Sequence, residues 1–310
     1  MTRPRTSRRS FLAASVALSA SAAFPPLRGA SAATAARAPE DLPDVEKPGR
    51  TPNTPFAVNL EMWFRGPFET RIEEAAVLGF PAVEFWPYEG AGKDIDRMAA
   101  VLREHDMTAT QFTAWGFGTE LNDPKASADR FVEAIEESCE VADKLPGCDL
   151  FTVVAGNDID GLSKARMHDA VIEKLRKVTG LLEKRGKTII LEPMNPYNHP
   201  RHCLYGSADG IAICKAVGSE NVKLNWDLFH MQRFEGNLID NLRKGKEWIG
   251  YLQLADSPAR DEPGTGEINY TNVFRAIREI GYTRPVGLEC TPEGGDVVRA
   301  ARRIHAADRW

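Results

Sequence analysis

The chain has 310 residues, 43% of them hydrophobic and 27% charged, with a formal net charge of −5, a balance that excludes a disordered or fibrous chain and supplies one or two globular domains with a buried core. Removing residues 1–32 would delete five arginines (Arg3, Arg5, Arg8, Arg9 and Arg28) and no acid, moving the charge from −5 to −10. A surface that acidic argues against phosphate-backbone contacts, and so against nucleic acid as the main partner.

Residues 1–32 read as an export signal. Ser7-Arg8-Arg9-Ser10-Phe11-Leu12 precedes an Ala/Ser/Leu/Val run in the pattern of a twin-arginine signal peptide, with Ala30-Ser31-Ala32 as its cleavage site. The apolar run over residues 11–24 is short of the about 20 residues that a membrane span needs, although a retained N-terminal anchor stays open as the alternative. Export would place the mature chain in the periplasm or outside the cell, and no later stretch is apolar for long enough to span a bilayer. Residues 33–54, Ala-rich and then proline-rich, lack apolar periodicity and read as a flexible linker.

The folded unit, residues 55–310, opens with a strand over 56–63 and a helix over 67–78 that stops at Gly79. The pattern then repeats: strands over 82–86, 108–112 and 150–154, with helices over 94–104, 127–144 and 164–184. In the second half come four apolar runs that each end in an oxygen-bearing side chain. They are Thr188-Ile189-Ile190-Leu191-Glu192, Val222-Lys223-Leu224-Asn225-Trp226-Asp227, Ile249-Gly250-Tyr251-Leu252-Gln253 and Val286-Gly287-Leu288-Glu289, separated by helices over 209–217, 237–248 and 270–280. Eight strand-then-helix units with barely alternating strands predict an α/β fold with a closed parallel sheet, the (β/α)8 TIM barrel. An open doubly wound sheet competes less well, because no Gly-x-Gly-x-x-Gly turn follows the first strand.

Glu192, Asp227, Gln253 and Glu289 stand 35, 26 and 36 residues apart, each close to the roughly 30 residues of one strand-plus-helix unit. In such a barrel they converge on one mouth. Three carboxylates buried together as bare anions would protonate or unfold the site, and a divalent cation resolves that conflict. Four oxygen donors favour one hard octahedral ion, Mg²⁺ or Mn²⁺, over Zn²⁺. Any one acid at a strand end is better read as a helix cap or an ion-pair partner, but four in consecutive units are not. His230, just past Asp227, is placed to hydrogen-bond a substrate hydroxyl, or is an ordinary buried or surface histidine. Arg260 is placed to bind a substrate carboxylate or hydroxyl, or forms a surface salt bridge.

Three further features carry two readings each. Gly264-Thr265-Gly266-Glu267-Ile268-Asn269-Tyr270 is either a lid or a turn with a helix cap. Trp63, Trp86 and Trp115 sit at or after the first three strands, as an apolar wall for substrate or as core. The five cysteines (Cys139, Cys148, Cys203, Cys214, Cys290) form no Cys-x-x-Cys pair. Cys139 and Cys148 flank the Pro146-Gly147 turn and could pair, though core thiols are the favoured state.

With these residues in place, the sequence resembles the hydroxypyruvate isomerase-like branch of the xylose isomerase-like barrel family, near the ketose 3-epimerases. The likeness covers residues 56–290 and is most specific in Trp226-Asp227-Leu228-Phe229-His230-Met231-Gln232, Leu252-Gln253-Leu254-Ala255-Asp256 and Gly264-Thr265-Gly266-Glu267-Ile268-Asn269-Tyr270. The resemblance implies a metal held by Glu192, Asp227, Gln253 and Glu289, with Glu192 and Glu289 as the proton-transfer pair across a cis-enediolate. His230 and Arg260 are substrate contacts on the same footing. Gln253 matches the isomerase branch, whereas Cys290-Thr291-Pro292 departs from its Tyr-Lys-Pro and removes a basic group beside the last ligand. The expected substrate is therefore a small sugar or hydroxy-keto acid, with a ketose 3-epimerase, a cyclitol dehydratase and a non-catalytic sugar-binding protein as the alternatives. A multi-zinc nuclease of the endonuclease IV kind would need histidines at the strand ends and a basic face. Homo-oligomerisation is left open by the sequence.

Overall fold

A computed structural model describes residues 42–310 apart from Ala91. The export signal expected over residues 1–32, and the linker up to residue 41, lie outside the described residues. Eight short runs rich in Val, Ile, Leu and Phe form the strands β1 (Phe56–Asn59), β2 (Ala82–Phe85), β3 (Thr108–Trp115), β4 (Leu150–Val154), β5 (Thr188–Glu192), β6 (Val222–Asp227), β7 (Ile249–Leu254) and β8 (Val286–Leu288). Each pairs in parallel with its neighbour in sequence, and β8 returns to β1, closing the expected (β/α)8 barrel. Residues of β1, β2 and β4 are buried throughout, as strands covered on both faces must be, which is why their sequences barely alternate.

The helices are α1 (Leu60–Trp63), α2 (Phe68–Leu78), α3 (Ile95–Glu104), α4 (Asp129–Lys144), α5 (Lys164–Arg185), α6 (Gly206–Val217), α7 (Leu228–Phe234), α8 (Leu238–Gly245), α9 (Tyr270–Glu279) and α10 (Val297–Ala307). Their ends follow local chemistry. Ser163 accepts the Arg166 amide at the start of α5, and Gly186 ends it in the left-handed region at φ 62°. The main apolar core lies between barrel and helices. Leu150, Ile190 and Tyr251 form a separate apolar cluster. Each precedes Thr152, Glu192 or Gln253 by two residues, so this plug fills the barrel one layer below the mouth.

The structure departs from expectation at several points, among them a third strand that runs on to Trp115 and an eighth helix that ends at Gly245. The first strand ends at Asn59, because its side chain accepts the amides of Glu61 and Met62, both at 3.1 Å, and turns the chain into α1. Helices α7 and α10 add to the expected set. The linker boundary at residue 54 lies too late: Gly49 donates to Leu78 O at 2.8 Å, and the Asn53 and Thr54 amides reach Asp308 Oδ2 at 2.7 and 2.9 Å. Satisfying these backbone groups makes the stretch before β1 part of the folded unit. All five cysteines are buried free thiols.

Candidate functional site

Glu192 closes β5, Asp227 closes β6 and Glu289 directly follows β8. Because all strands of the barrel run one way, the three arrive at the same mouth, and they are nearly shut off from solvent at 6%, 0% and 8% exposure. Asp227 Oδ1 accepts the Phe229 amide at 2.8 Å and caps α7. That turn sets His230 Nε2 at 3.4 Å from Asp227 Oδ2 and 3.7 Å from Glu192 Oε1. One donor atom from each of Glu192, Asp227 and His230 lies within 4.8 Å of the other two.

Burial, reinforced by the charges of Glu289 and Asp227, pushes the Glu192 carboxyl well above the ordinary range. Burial also raises Asp227 to about 7, with Arg260 pulling the other way. The same burial, with the Arg260 charge adding to it, keeps His230 neutral. Arg260 provides one compensating charge, its Nη2 lying 2.8 Å from Glu289 Oε2 and 3.6 Å from Asp227 Oδ2. Yet Asp227 Oδ2 is buried without a hydrogen bond. An orphaned carboxylate oxygen beside a second buried carboxylate fits a bound dication, which would supply both the missing charge and a partner for the lone pairs.

Gln253 stands opposite Asp227 in the strand register, but its side chain enters a hydrogen-bonded ring inside the barrel. Its Nε2 donates to Glu84 Oε1 at 2.9 Å and its Oε1 accepts from Asn225 Nδ2 at 2.5 Å. Asn225 Nδ2 also reaches Thr152 Oγ1 at 3.3 Å, Thr152 donates to Gln111 Oε1 at 2.8 Å, and Gln111 Nε2 reaches Glu84 Oε2 at 3.3 Å, which closes the ring. Asn59 Nδ2 is a further donor to Glu84, at 3.2 Å. Burial and the charge of Glu289 push the Glu84 carboxyl up to about 8, while the amide donors hold it down. A Cβ at Gly287 would fall 2.2 Å from Glu84 Oε2, so β8 carries glycine where the carboxyl needs the room. Gln253 Oε1 retains a second lone pair for a ligand.

Arg260 is held by the loop after β7. Asp256 accepts four backbone amides, those of Ser257, Gly264 and Gly266 at 2.9 Å and that of Ile268 at 3.0 Å. The glycine-flanked segment is therefore a pinned turn rather than a lid, and Asn269 caps α9 by accepting the Asn272 amide at 3.2 Å. Gly266 is required there, since a Cβ would lie 2.0 Å from Ser257 O. Within the loop Arg260 takes φ 68°, a left-handed conformation costing a non-glycine residue roughly 1–2 kcal/mol. Its backbone is fixed on both sides, its amide donating to Asp256 O at 2.9 Å and its carbonyl accepting the Thr291 amide at 3.0 Å.

The structure thus joins Glu192, Asp227 and His230, ties Glu289 to them through Arg260, and sets Gln253 in the ring. Of the three tryptophans, Trp86 reaches the site, its Nε1 donating to Glu289 Oε1 at 2.9 Å. Trp63 packs edge-on against Phe80 and Trp115 against Phe131, as core. Glu84, Asn225 and Asp256 were missed as site-building residues. Glu84 had a signal, a lone acid inside the apolar strand Ala82-Val83-Glu84-Phe85, the same cue that marks the four strand ends.

Residues 72–307 match the family described as the xylose isomerase-like TIM barrel. The chain is 33% identical over 255 residues to hydroxypyruvate isomerase of Escherichia coli (strain K12), spanning 77% of this chain and 93% of that protein. It is 34% identical over 248 residues to 2-oxo-tetronate isomerase of Cupriavidus necator, spanning 77% and 94%. Among solved structures, an AP endonuclease, family 2, from Brucella melitensis superposes with a TM-score of 0.73 at 28% identity, covering 80% of this chain and 96% of that one.

Proposed function

The chain belongs to the xylose isomerase-like TIM barrel family, and from that premise we propose that it is an isomerase of the hydroxypyruvate isomerase type, moving a proton between adjacent carbons of a small sugar or hydroxy-keto acid. The observation that carries this reading is the pair Glu192 and Glu289, both nearly buried at one mouth, with Arg260 linking Glu289 to the acidic group. One carboxylate removes the proton from the carbon beside the carbonyl, and the other acts as its acid/base partner across an enediolate. Arg260 and His230 orient the substrate oxygens, and the pinned loop keeps Arg260 in place before substrate arrives.

Glu192, Asp227, Gln253 and Glu289 would hold one divalent ion, Mg²⁺ or Mn²⁺, which when bound supplies Lewis acidity to a carbonyl oxygen, an effect worth several kcal/mol. A ketose 3-epimerase or a cyclitol dehydratase would use the same groups, so the substrate decides among them. The test is incubation of the Mn²⁺-supplemented protein with hydroxypyruvate, 2-oxo-tetronate and small ketoses in deuterated water. Label should enter the carbon beside the carbonyl of at least one of them. Saturable sugar binding without exchange would replace the isomerase with a binding protein, and cleavage of abasic DNA would replace it with a nuclease. We also propose export by the twin-arginine route, which predicts that replacing Arg8 and Arg9 by lysine retains the protein in the cytoplasm.

A further inference from the structure

Glu192, Asp227 and His230 look, from their spacing alone, like a mixed oxygen and nitrogen site, the donor set that zinc accepts. The far side of the imidazole argues otherwise. Asn195 lies three residues past Glu192 and is fully buried. One terminal atom of its side chain accepts the amides of Tyr197 and Asn198, both at 3.0 Å. A backbone N–H can only donate, so that atom is the carbonyl oxygen and the other is the NH₂ group. The NH₂ group stands 2.7 Å from His230 Nδ1. It too can only donate, so Nδ1 must offer its lone pair, and the proton of the neutral ring resides on Nε2. This is the nitrogen that faces Asp227 Oδ2 and Glu192 Oε1. With its lone pair used by the N–H bond, Nε2 can give a hydrogen bond to an oxygen but cannot ligate a metal.

We propose that Asn195 is a positioning residue that fixes His230 as an Nε2–H donor, so the imidazole stays out of the cation's ligand set and the site prefers Mg²⁺ or Mn²⁺ to Zn²⁺. The inference rests on the reading of the mouth as a cation centre. The backbone makes it testable by a small change. In Asn195→Asp, one carboxylate oxygen still accepts from Tyr197 and Asn198, while the other replaces the NH₂ donor with an acceptor facing Nδ1. The ring proton then moves to Nδ1 and frees the Nε2 lone pair toward the two carboxylates.

Two measurements decide it. Long-range ¹H–¹⁵N spectra of the metal-free protein, with the His230 signals assigned by their loss in His230→Gln, should show a protonated Nε2 and a bare Nδ1, reversed in Asn195→Asp. Competition calorimetry should show the Zn²⁺ to Mn²⁺ affinity ratio rising at least about tenfold in Asn195→Asp, the scale on which groups behind a ligand act. A bare Nε2 in the wild-type protein overturns the proposal, with no variant needed. An unchanged affinity ratio in a folded Asn195→Asp with the reversed ring also overturns it, because the tautomer would then not govern metal choice. If neither cation binds the wild-type protein, the cation reading itself fails and the selectivity falls with it, whereas failure of the ring spectrum alone leaves that reading standing.

Discussion

The two halves of the barrel meet one mouth with different chemistry. Strands β5–β8 bring Glu192 and Asp227, which cluster with His230, and, at the exit of β8, Glu289, whose carboxylate pairs with Arg260. Strands β1–β4 bring Asn59, Glu84, Gln111 and Thr152, whose hydrogen bonds run to one another and to Asn225 and Gln253. Charge that can react is concentrated on one side, and the other side mostly supplies amides and hydroxyls that hold the floor beneath it. The contrast teaches that equal burial leaves acids in different surroundings: Glu84 is as buried as Asp227, at 0%, yet three amide donors are turned onto it, whereas Asp227 Oδ2 has no hydrogen bond.

The largest expected effect tests the reacting half. Glu192→Gln and Glu289→Gln keep shape and remove a base or acid, so each should lower deuterium exchange at the substrate carbon by about 10²–10⁴-fold with an unchanged circular dichroism spectrum. Wild-type exchange in either variant would break the division of labour between the halves.

A second effect concerns the seam between them. Gly156, past β4, donates its amide to His202 Nε2 at 3.3 Å, and Cys203 donates back to Gly156 O at 3.0 Å. His202 Nδ1 lies 2.9 Å from Leu204 O, so the neutral ring satisfies both neighbours, and a proton on Nε2 would face the Gly156 N–H. Burial accordingly holds His202 down at about 4, against 6.5 for a free ring. The unfolded chain therefore binds more protons between those values. The stability this ring allows is complete above its unfolded pKa and is lost as pH falls through 6.5 toward 4, by roughly 3 kcal/mol. His202→Gln should shrink the wild-type loss by that amount when urea unfolding at neutral pH is compared with unfolding near pH 4. An equal acid loss in both proteins would show that the seam does not depend on this ring.

The contrast between the halves also explains what could be read from the sequence. Barrel closure was legible because eight apolar runs recur at unit spacing, and strand direction alone then brings Glu192, Asp227 and Glu289 together. The ring was not legible. Asn225, Gln111 and Thr152 are neutral and interrupt their strands by a single residue, and nothing along the chain says that their side chains meet across the barrel. Residues 42–54 misled for a related reason, since a proline-rich stretch can be held by backbone hydrogen bonds to Leu78 O and Asp308, which leave no periodicity. Asp256 was visible within the Leu252-Gln253-Leu254-Ala255-Asp256 run, but its role as acceptor of four amides belongs to the folded loop.

A third prediction probes the supporting half. In Glu84→Gln one of the converging amide donors meets another NH₂ group, so unfolding free energy should fall by ~1–3 kcal/mol and cation affinity by about 10- to 100-fold. Exchange at saturating cation should survive. Titration calorimetry and exchange under excess Mn²⁺ separate the two, and loss of exchange that excess cation does not restore would move Glu84 among the reacting groups.

The smallest effect is expected where the first half reaches across to the second. Trp86, past β2, gives its Nε1 hydrogen to Glu289 Oε1 while standing 40% exposed. Trp86→Phe removes that hydrogen and keeps an aromatic face at the rim, so no core contact is opened. Because Arg260 still holds the other oxygen of Glu289 at 2.8 Å, the carboxylate keeps its place and loses one of two donors. A single hydrogen bond at a partly wet site is worth ~0.5–1.5 kcal/mol, which predicts a fall in kcat/KM of roughly two- to tenfold at unchanged unfolding free energy. A loss as deep as that of Glu289→Gln would mean that Trp86 acts on the reacting atoms, and the first half would no longer be support alone.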